Sequence, residues 1–446
     1  MNRLIGIDGA VFFTLLSKIV YASGGLISVI FISKYLNIVE QGYYYTFGSI
    51  LSIQIFFELG LSGIITQFVA HEVALLEWNG LVNLKGSPEA LSRLSSLLRL
   101  CVKWFSFLAV ILFITLIFTG LFFFKKFGGK ENDVDWVTPW MIISFSTSCS
   151  FIFSPILAFL EGLGKVKNVA ILRFVQQSIQ ISILFICLML NFKIYSSPLA
   201  YLLSFLITPI YIYFSINFLI LKNIWHKIQS WTINYKAEIF PYQWRIALSW
   251  ISGYFMYQLF NPVTFARDGA IVAGQMGITI VVLNGILSIS LSWLNTKTPL
   301  FSTLIATKNY LELDSLFKKT ITQTGFVSLM GVCCFILFVY ILKVYHNPIA
   351  NRFLPILPLS LLGISTFVNQ FVSSLAIYLR CHKKEPFLWF SIILATLTTF
   401  STLILGKLFG VLGITSGFCF LSVFVSLTWA LLIFKNKRQL WHQINI

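Results

Sequence analysis

Apolar residues along this chain form long, almost uninterrupted runs separated by short polar segments. A helix needs about 20 mostly apolar residues to cross a hydrocarbon core ~30 Å thick. Residues 105–124 are almost all apolar and show no strand-like alternation of polar and apolar positions. Twelve runs predict spans at 10–32, 42–70, 100–124, 139–160, 169–192, 198–221, 246–265, 270–293, 321–342, 354–379, 386–408 and 411–434. The pattern therefore predicts an all-α polytopic membrane protein with about 12 transmembrane helices.

The longer polar segment after the sixth span divides these helices into two equal halves. We predict an N-terminal six-helix lobe at 1–221, an amphipathic cytoplasmic linker at 222–245 and a C-terminal six-helix lobe at 246–446. Apolar residues recur at near-helical spacing among lysines over 222–242, which predicts an interfacial helix. The tetrapeptide Ile-Leu-Ser-Ile follows Gly42 in the first half and Gly277 in the second, as expected for a duplicated unit.

Composition and charge place the chain in lipid. Hydrophobic residues make up 57% of the sequence and charged residues only 11%, against about 25% in a soluble domain. The net charge is +17, but the basic residues are sorted by loop. With the N terminus inside, 22 Lys and Arg residues fall on the cytoplasmic side and 9 on the opposite side. This bias follows the positive-inside rule and predicts cytoplasmic termini and no nucleic-acid partner.

Motifs that carry chemistry are scarce in this sequence. No G-x-x-x-x-G-K-[ST] loop occurs, and the seven Cys and five His show no metal-ligand spacing. We therefore predict no cofactor and no metal. The polar gaps are shorter than a small domain, and paired carboxylates in an outward loop occur only at 131–135, among lysines. A solvated loop accounts for them, so we predict that the chain is not an enzyme.

Four short sequence groups carry a family resemblance. They are Lys34-Tyr35-Leu36 with Gln41-Gly42-Tyr43-Tyr44, Glu58-Leu59-Gly60-Leu61, Glu161-Gly162-Leu163-Gly164-Lys165 with Leu172-Arg173, and Pro299-Leu300-Phe301. The chain resembles polysaccharide transporters of the multidrug/oligosaccharidyl-lipid/polysaccharide flippase superfamily. Members often show an aromatic-Leu pair and G-x-Y/F ahead of the second span, and D/E-L-G-L/F within it. The third group looks like the turn between spans four and five, and the fourth looks like the turn after span eight.

The resemblance implies an O-antigen or capsule repeat-unit flippase (Wzx-like) with two six-helix lobes around a central cavity. Such a protein moves an undecaprenyl-pyrophosphate-linked oligosaccharide outward across a bacterial inner membrane by alternating access. The implied partners are this lipid-linked oligosaccharide, membrane lipids, a coupling cation (proton or sodium) and proteins of polysaccharide assembly. Lipid II flippases of the same superfamily usually carry two further C-terminal helices, whereas the last span predicted here ends near Phe434.

Charges inside predicted spans are the first candidates for a transport mechanism, because an ionisable group in lipid needs a partner or water. Lys18 lies in the first span, and Glu58 is the one acidic residue deep in a predicted span. Two interpretations stay open: a buried Lys18–Glu58 pair, or a cavity in which Lys18 attracts phosphate and Glu58 exchanges the coupling cation. Arg173, near the start of span five, is a second candidate for phosphate binding, with snorkelling to headgroups as its alternative.

Arg267 and Asp268 form a short outward turn after Asn261-Pro262. This turn is either an exit gate or a solvated connection. Two rival functions also remain open. One is a membrane-embedded glycan polymerase or glycosyltransferase, which needs positioned acids or bases. The other is a cation-coupled drug antiporter of the same superfamily, for which an acidic C-terminal lobe is expected, yet spans seven to twelve hold no deep carboxylate.

Overall fold

The structure is a computed structural model that describes residues 9–128, 134–227, 229–382 and 384–443. Within these residues, nine helices are long and apolar enough to cross a membrane. The strands of the described chain form one two-stranded antiparallel hairpin. The protein is therefore an all-α, multi-pass membrane protein, and the fold class that the hydropathy pattern predicts is confirmed.

The secondary-structure elements follow one another in a simple order. The helices are α1 (Gly9–Tyr35), α2 (Ile38–Leu51), α3 (Ile55–Glu58), α4 (Leu61–Val73), α5 (Pro88–Phe127), α6 (Val137–Gly162), α7 (Val166–Met189), α8 (Ser196–Phe214), α9 (Ile216–Trp225), α10 (Phe240–Tyr257), α11 (Phe260–Ala306), α12 (Tyr310–Val344), α13 (Ile356–Arg380), α14 (Leu388–Phe420) and α15 (Thr428–Gln443). The hairpin strands are β1 (Leu76–Asn79) and β2 (Asn83–Gly86). Short 3-10 turns lie at Ser52–Gln54, Lys193–Tyr195 and Pro348–Arg352, and π-helical turns at Tyr235–Ile239 and Leu421–Leu427.

The number of spans agrees with the predicted number once two long segments are divided. Gln243–Ile305 and Leu388–His442 contain 63 and 55 residues, too many for one crossing at about 1.5 Å per residue. Each contains a glycine at which the backbone leaves the helical region, Gly269 with φ 85° and Gly410 with φ 59°. Each segment therefore holds two spans, and α1 supplies one more, so the prediction of about 12 is confirmed.

The chain folds into two compact units. Among the described residues, the first unit holds 9–24, 50–126 and 134–251, and the second holds 25–49, 127–128 and 252–443. The boundary therefore lies at Ile251, after the predicted linker, and α2 belongs mainly to the second unit. The division into lobes at 1–221 and 246–446 stays a prediction.

Local chemistry explains where several elements begin. Before α2, the Asn37 side chain accepts a hydrogen bond from the Glu40 amide, and the Glu40 carboxylate accepts one from the Asn37 amide. This reciprocal arrangement is a capping box. The turn predicted between spans four and five is confirmed, because α6 ends at Gly162 and Gly164 has a φ of 81°, which favours glycine.

Two predicted local features are wrong. The interfacial helix expected over 222–242 does not form, since α9 ends at Trp225 and the next helical turn begins at Tyr235. Side chains of α5 hold the connecting backbone instead: Ser92 accepts from the Gln229 amide and donates to the Trp231 carbonyl. The turn expected at Pro299-Leu300-Phe301 is also absent, because α11 continues to Ala306.

Candidate functional site

The second span is broken at its middle, in the first unit. Helix α3 ends at Glu58, Leu59 and Gly60 both adopt left-handed backbone angles (φ 49° and 69°), and α4 begins at Leu61. Irregular backbone at membrane depth is tolerated where protein or a water-filled cavity surrounds it. Discontinuous helices of this kind build the ion and substrate sites of many transporters. The predicted site residue Glu58 therefore lies at the break itself.

Glu58 is half-buried and engages the first turn of α4. The Ser62 hydroxyl donates to a Glu58 carboxylate oxygen at 2.7 Å, and it lies 3.0 Å from the hydroxyl of Ser154 on α6. A helix N-terminus carries a partial positive charge that stabilises a nearby carboxylate. Glu58 thus has stabilising neighbours within its own unit, and its side chain stays partly exposed.

Helix α4 packs closely on α6 through small residues. The Thr66 hydroxyl donates to the Ala158 carbonyl at 3.0 Å. A Cβ atom on Gly162 would lie 2.6 Å from the Cβ of Val69, so only glycine fits there. Ser154, Ala158 and Gly162 recur every four residues, the spacing of small-residue contacts between membrane helices. This spacing is visible in the sequence, but the partner helix is not.

The break is also packed against α10. A Cβ atom on Gly60 would lie 2.3 Å from the Cγ2 of Ile246, and the left-handed φ of Gly60 independently favours glycine. The Gly60 of the resemblance group thus has a physical role. It permits both the turn of the backbone and the close approach of the neighbouring helix.

Lys18, the predicted partner of Glu58, lies outside the described side chains. Its backbone belongs to α1. The Lys18–Glu58 pair and the phosphate-binding role of Lys18 therefore stay predictions.

Arg173 forms an ion pair that the sequence pattern did not predict. An Arg173 guanidinium nitrogen lies 3.1 Å from a Glu161 carboxylate oxygen, and the two side chains are 49% and 21% exposed. Both residues belong to the third resemblance group, and this shared group was the one signal in the sequence for the ion pair. An exposed pair contributes little to the free energy of folding. Because the guanidinium is half-exposed, it keeps N–H donors for a further anion. Phosphate binding by Arg173 stays a prediction.

The predicted gate residues hold two turns of the second unit together. Arg267 donates to the Lys407 carbonyl at 2.7 Å. An Asp268 carboxylate oxygen lies 3.0 Å from the point where a Cβ on Gly410 would stand. The other carboxylate oxygen of Asp268 is buried, and no hydrogen-bond partner is described for it. The turn after span seven therefore contacts the turn after span eleven, and gating there stays a prediction.

The Gln41-Gly42 part of the resemblance holds α2 against its neighbours in the second unit. The Gln41 amide donates to the carbonyls of Gly274 (2.9 Å) and Arg352 (3.2 Å), and Gln41 is fully buried. A Cβ atom on Gly42 would lie 1.9 Å from the Ala270 carbonyl oxygen. These contacts fix α2 on α11 and explain why α2 belongs with the C-terminal helices.

Arg93, in the first turns of α5, belongs to none of the sequence groups that predict a site. It lies 2.8 Å from Glu72 at the end of α4 and 2.5 Å from Glu238 in the π-helical turn before α10. The hydrogen bond from Arg93 lowers the pKa of the Glu238 carboxyl. The Arg93 guanidinium thereby links α4, the helix that follows the break, to the segment that leads into span seven.

No group of three or more His, Cys, Asp or Glu side chains that could hold a metal ion occurs among the described residues.

Comparisons with known proteins identify the fold. No family model matches the chain, and no curated protein matches it by sequence. Among solved structures it is similar to a multidrug resistance MATE family transporter of the MOP superfamily in an inward-facing conformation, with a TM-score of 0.61, 15% identity, and coverage of 94% of this chain and 99% of that chain.

Two further structures agree. The lipid II flippase MurJ in an inward closed conformation has a TM-score of 0.57 and 15% identity over 96% of this chain and 87% of that chain. MATE in the bent conformation has a TM-score of 0.54 and 14% identity over 96% and 95%. The chain therefore has the fold shared by MATE transporters and the MurJ flippase.

Proposed function

We propose that this protein is a flippase that moves an undecaprenyl-pyrophosphate-linked oligosaccharide, an O-antigen or capsule repeat unit, across a bacterial inner membrane by alternating access. The break at Glu58-Leu59-Gly60 carries the proposal, because it combines a half-exposed carboxylate with a helix N-terminus inside a membrane span. The fold shared with a lipid II flippase supports a lipid-linked substrate. The four sequence groups that resemble polysaccharide transporters support a saccharide as part of the substrate.

In this mechanism Glu58 exchanges a proton or sodium ion, the Ser62 hydroxyl donates to its carboxylate, and the Ser154 hydroxyl lies against that of Ser62. Neutralising the carboxylate weakens its attraction to the partial positive charge at the start of α4. The two halves of the span are then free to change their angle, which couples ion binding to the switch between states. Arg173 and Lys18 attract the pyrophosphate.

The test is complementation of surface polysaccharide in a bacterial strain that lacks its own repeat-unit flippase, with membrane protein level measured in parallel. We expect Glu58→Gln to abolish export while the protein inserts normally. Glu385→Gln, which removes an exposed carboxylate paired with Arg380, is the matched control and should export normally. Normal export by Glu58→Gln would contradict the coupling role.

A second set of variants separates the two roles of Lys18. If Lys18 and Glu58 only neutralise each other, Lys18→Met combined with Glu58→Gln should be tolerated better than either single change, since breaking a buried pair is costlier than removing it. If Lys18 binds pyrophosphate, the double variant should insert but fail to export, and Lys18→Arg should keep partial function.

A drug–cation antiporter is the second candidate, because the fold matches a multidrug resistance MATE transporter over 94% of the chain. Efflux of a fluorescent lipophilic cation from cells expressing the protein distinguishes the two functions. Efflux that depends on Glu58, together with failure to restore polysaccharide, would favour the antiporter.

A glycan-modifying enzyme is the third alternative, and its candidate acids lie in the loop 131–135. Residues 131–133 lie outside the described residues. Asp135 accepts a hydrogen bond from the Tyr195 hydroxyl, a contact that anchors the loop. Asp133→Asn with Asp135→Asn should leave polysaccharide normal, and loss of polysaccharide by a normally inserted protein would revive the enzyme hypothesis.

A further inference from the structure

An apolar cavity of about 390 Å³ opens in the first unit, away from the break in span two. Its walls are Leu98 and Val102 of α5, Ile156 of α6, Ile212 of α8 and Phe218 of α9. The wall residues of α5, α6 and α9 lie near ends of predicted spans that the basic asymmetry assigns to the cytoplasmic side, and Ile212 lies near the end of α8. The cavity is therefore at the depth where acyl chains meet the headgroups of the inner leaflet.

The break between α8 and α9 creates this cavity. Ser215 adopts an extended backbone (φ −96°, ψ 162°), so α9 leaves α8 at a corner. Asn217, Ile220 and Ile224 form the buried stripe of α9. The neighbouring stripe of α9, from Phe218 to Trp225, faces the cavity. Phe218 is nevertheless 38% exposed, so an apolar ligand would gain contact there.

The rim of the cavity is cationic and aromatic. Leu221, Lys222, Trp225 and His226 complete the lining, and Lys222 and His226 are one helical turn apart and exposed. Arg99 fixes Trp225, because it donates to the Trp225 carbonyl at 2.8 Å and lies over the indole ring at 5.3 Å. No acidic residue lines the cavity among the described residues. An apolar pocket with a basic rim at this level is the pattern that binds anionic lipid headgroups.

We propose that this cavity binds one acyl chain of an anionic phospholipid of the cytoplasmic leaflet, with the phosphate held by Lys222 and His226. The site is separate from Glu58 and does not depend on the proposed transport function. Apolar walls at membrane depth exclude soluble anions, and the positive rim favours an anionic headgroup over a zwitterionic one. Because α9 leads into the segment that Ser92 and Arg93 hold, the bound lipid would brace the connection to span seven.

The test is native mass spectrometry of the purified full-length protein with phosphatidylglycerol, phosphatidylcholine or undecaprenyl phosphate added in turn. We expect one phosphatidylglycerol to be retained in preference to phosphatidylcholine. Lys222→Gln should weaken this retention about five-fold, the effect of one interfacial cation. Lys319→Gln, which removes an exposed lysine near the start of α12, is the matched control and should bind as the unaltered protein does.

Variants that fill the cavity test the proposal independently of the charge on Lys222. Ile156→Trp should abolish retention of phosphatidylglycerol, and Phe218→Trp at the partly exposed position is a milder filler should the first variant fail to fold. Equal retention of the two phospholipids, or equal behaviour of Lys222→Gln and Lys319→Gln, would overturn the proposal. Displacement of phosphatidylglycerol by equimolar undecaprenyl phosphate would overturn it as well, because the isoprenoid carrier would then be the occupant.

Discussion

Close contacts between helices occur in both units, and two of them, one from each unit, are built differently. In the first unit, α4 and α6 meet through hydroxyl-bearing and small residues beside a half-exposed carboxylate. In the second unit, α2 and α11 meet through glycines, with the backbone of Gly42 against Ala270 and Gly274, and with Gln41 buried and bonded to backbone carbonyls.

This difference separates hydrogen bonds that can change partners from backbone contacts that cannot shift. The serine hydroxyls beside Glu58 can rotate and exchange partners, whereas Gly162 holds the other end of the α4–α6 contact against Val69. A glycine contact at van der Waals distance has a single arrangement, because any sliding creates overlap or a void. We therefore expect movement near Glu58 and rigidity at Gln41-Gly42.

The largest effect should follow from Gly42→Ala. The added Cβ would lie 1.9 Å from the Ala270 carbonyl oxygen, and overpacking against backbone costs about 3 kcal/mol of folding free energy. The measurement is the melting temperature in detergent by fluorescence-detected size exclusion. Gly48→Ala is the control in the same helix, since a Cβ there meets nothing within 4 Å, and a similar melting temperature for both variants would refute the rigid contact.

Gly60→Ala should have the next largest effect, about 2 kcal/mol, because a left-handed backbone disfavours a Cβ atom and the Cβ overlaps Ile246. Adding Ile246→Ala should restore only the steric part of the loss. Leu59→Gly relieves the strain at the preceding left-handed position but removes a partly buried leucine side chain, so we expect a net loss smaller than that of Gly60→Ala. Thermal unfolding of all three variants checks the expectation, and full rescue by Ile246→Ala would argue against backbone strain.

Arg93→Gln should destabilise the first unit by about 1.5 kcal/mol, since hydrogen bonds to charged groups are lost to Glu72 and Glu238. The pKa of Glu238 is lowered in the folded protein. The stabilisation that the Glu238 carboxylate adds to folding is therefore present above the ordinary glutamate pKa of about 4.3. It is lost as pH falls through the lowered pKa of Glu238 in the folded protein. The gap in melting temperature between the variant and the unaltered protein should narrow below about pH 4, and a constant gap would exclude this linkage.

The smallest stability effect should come from Arg173→Gln. The pair with Glu161 is partly exposed, and such pairs contribute about 0.5 kcal/mol or less. Loss of polysaccharide export at unchanged melting temperature would assign Arg173 to substrate binding. Glu161→Gln removes the same ion pair but keeps the cation, so normal export by that variant would sharpen the assignment.

Much of the architecture was predictable because lipid imposes a length and a composition on every span. The twelve spans and the turn at Gly164 have signals in runs or single residues, and the choice of Glu58 as a candidate rests on its depth in a predicted span. The break at Leu59 has no such signal, because leucine ordinarily avoids the left-handed backbone that it adopts here beside Gly60.

The sequence by itself determined the class of protein, because 57% hydrophobic residues arranged in runs of about 20 permit only membrane-spanning helices. It did not determine which helices pack together. The pairing of α2 with α11 and the helix-free segment over 229–234 depend on residues far apart in the chain. Lipid solvates the outside of every apolar helix alike, so hydrophobicity does not choose a partner, and only small residues, hydrogen bonds and shape in the tertiary structure decide it.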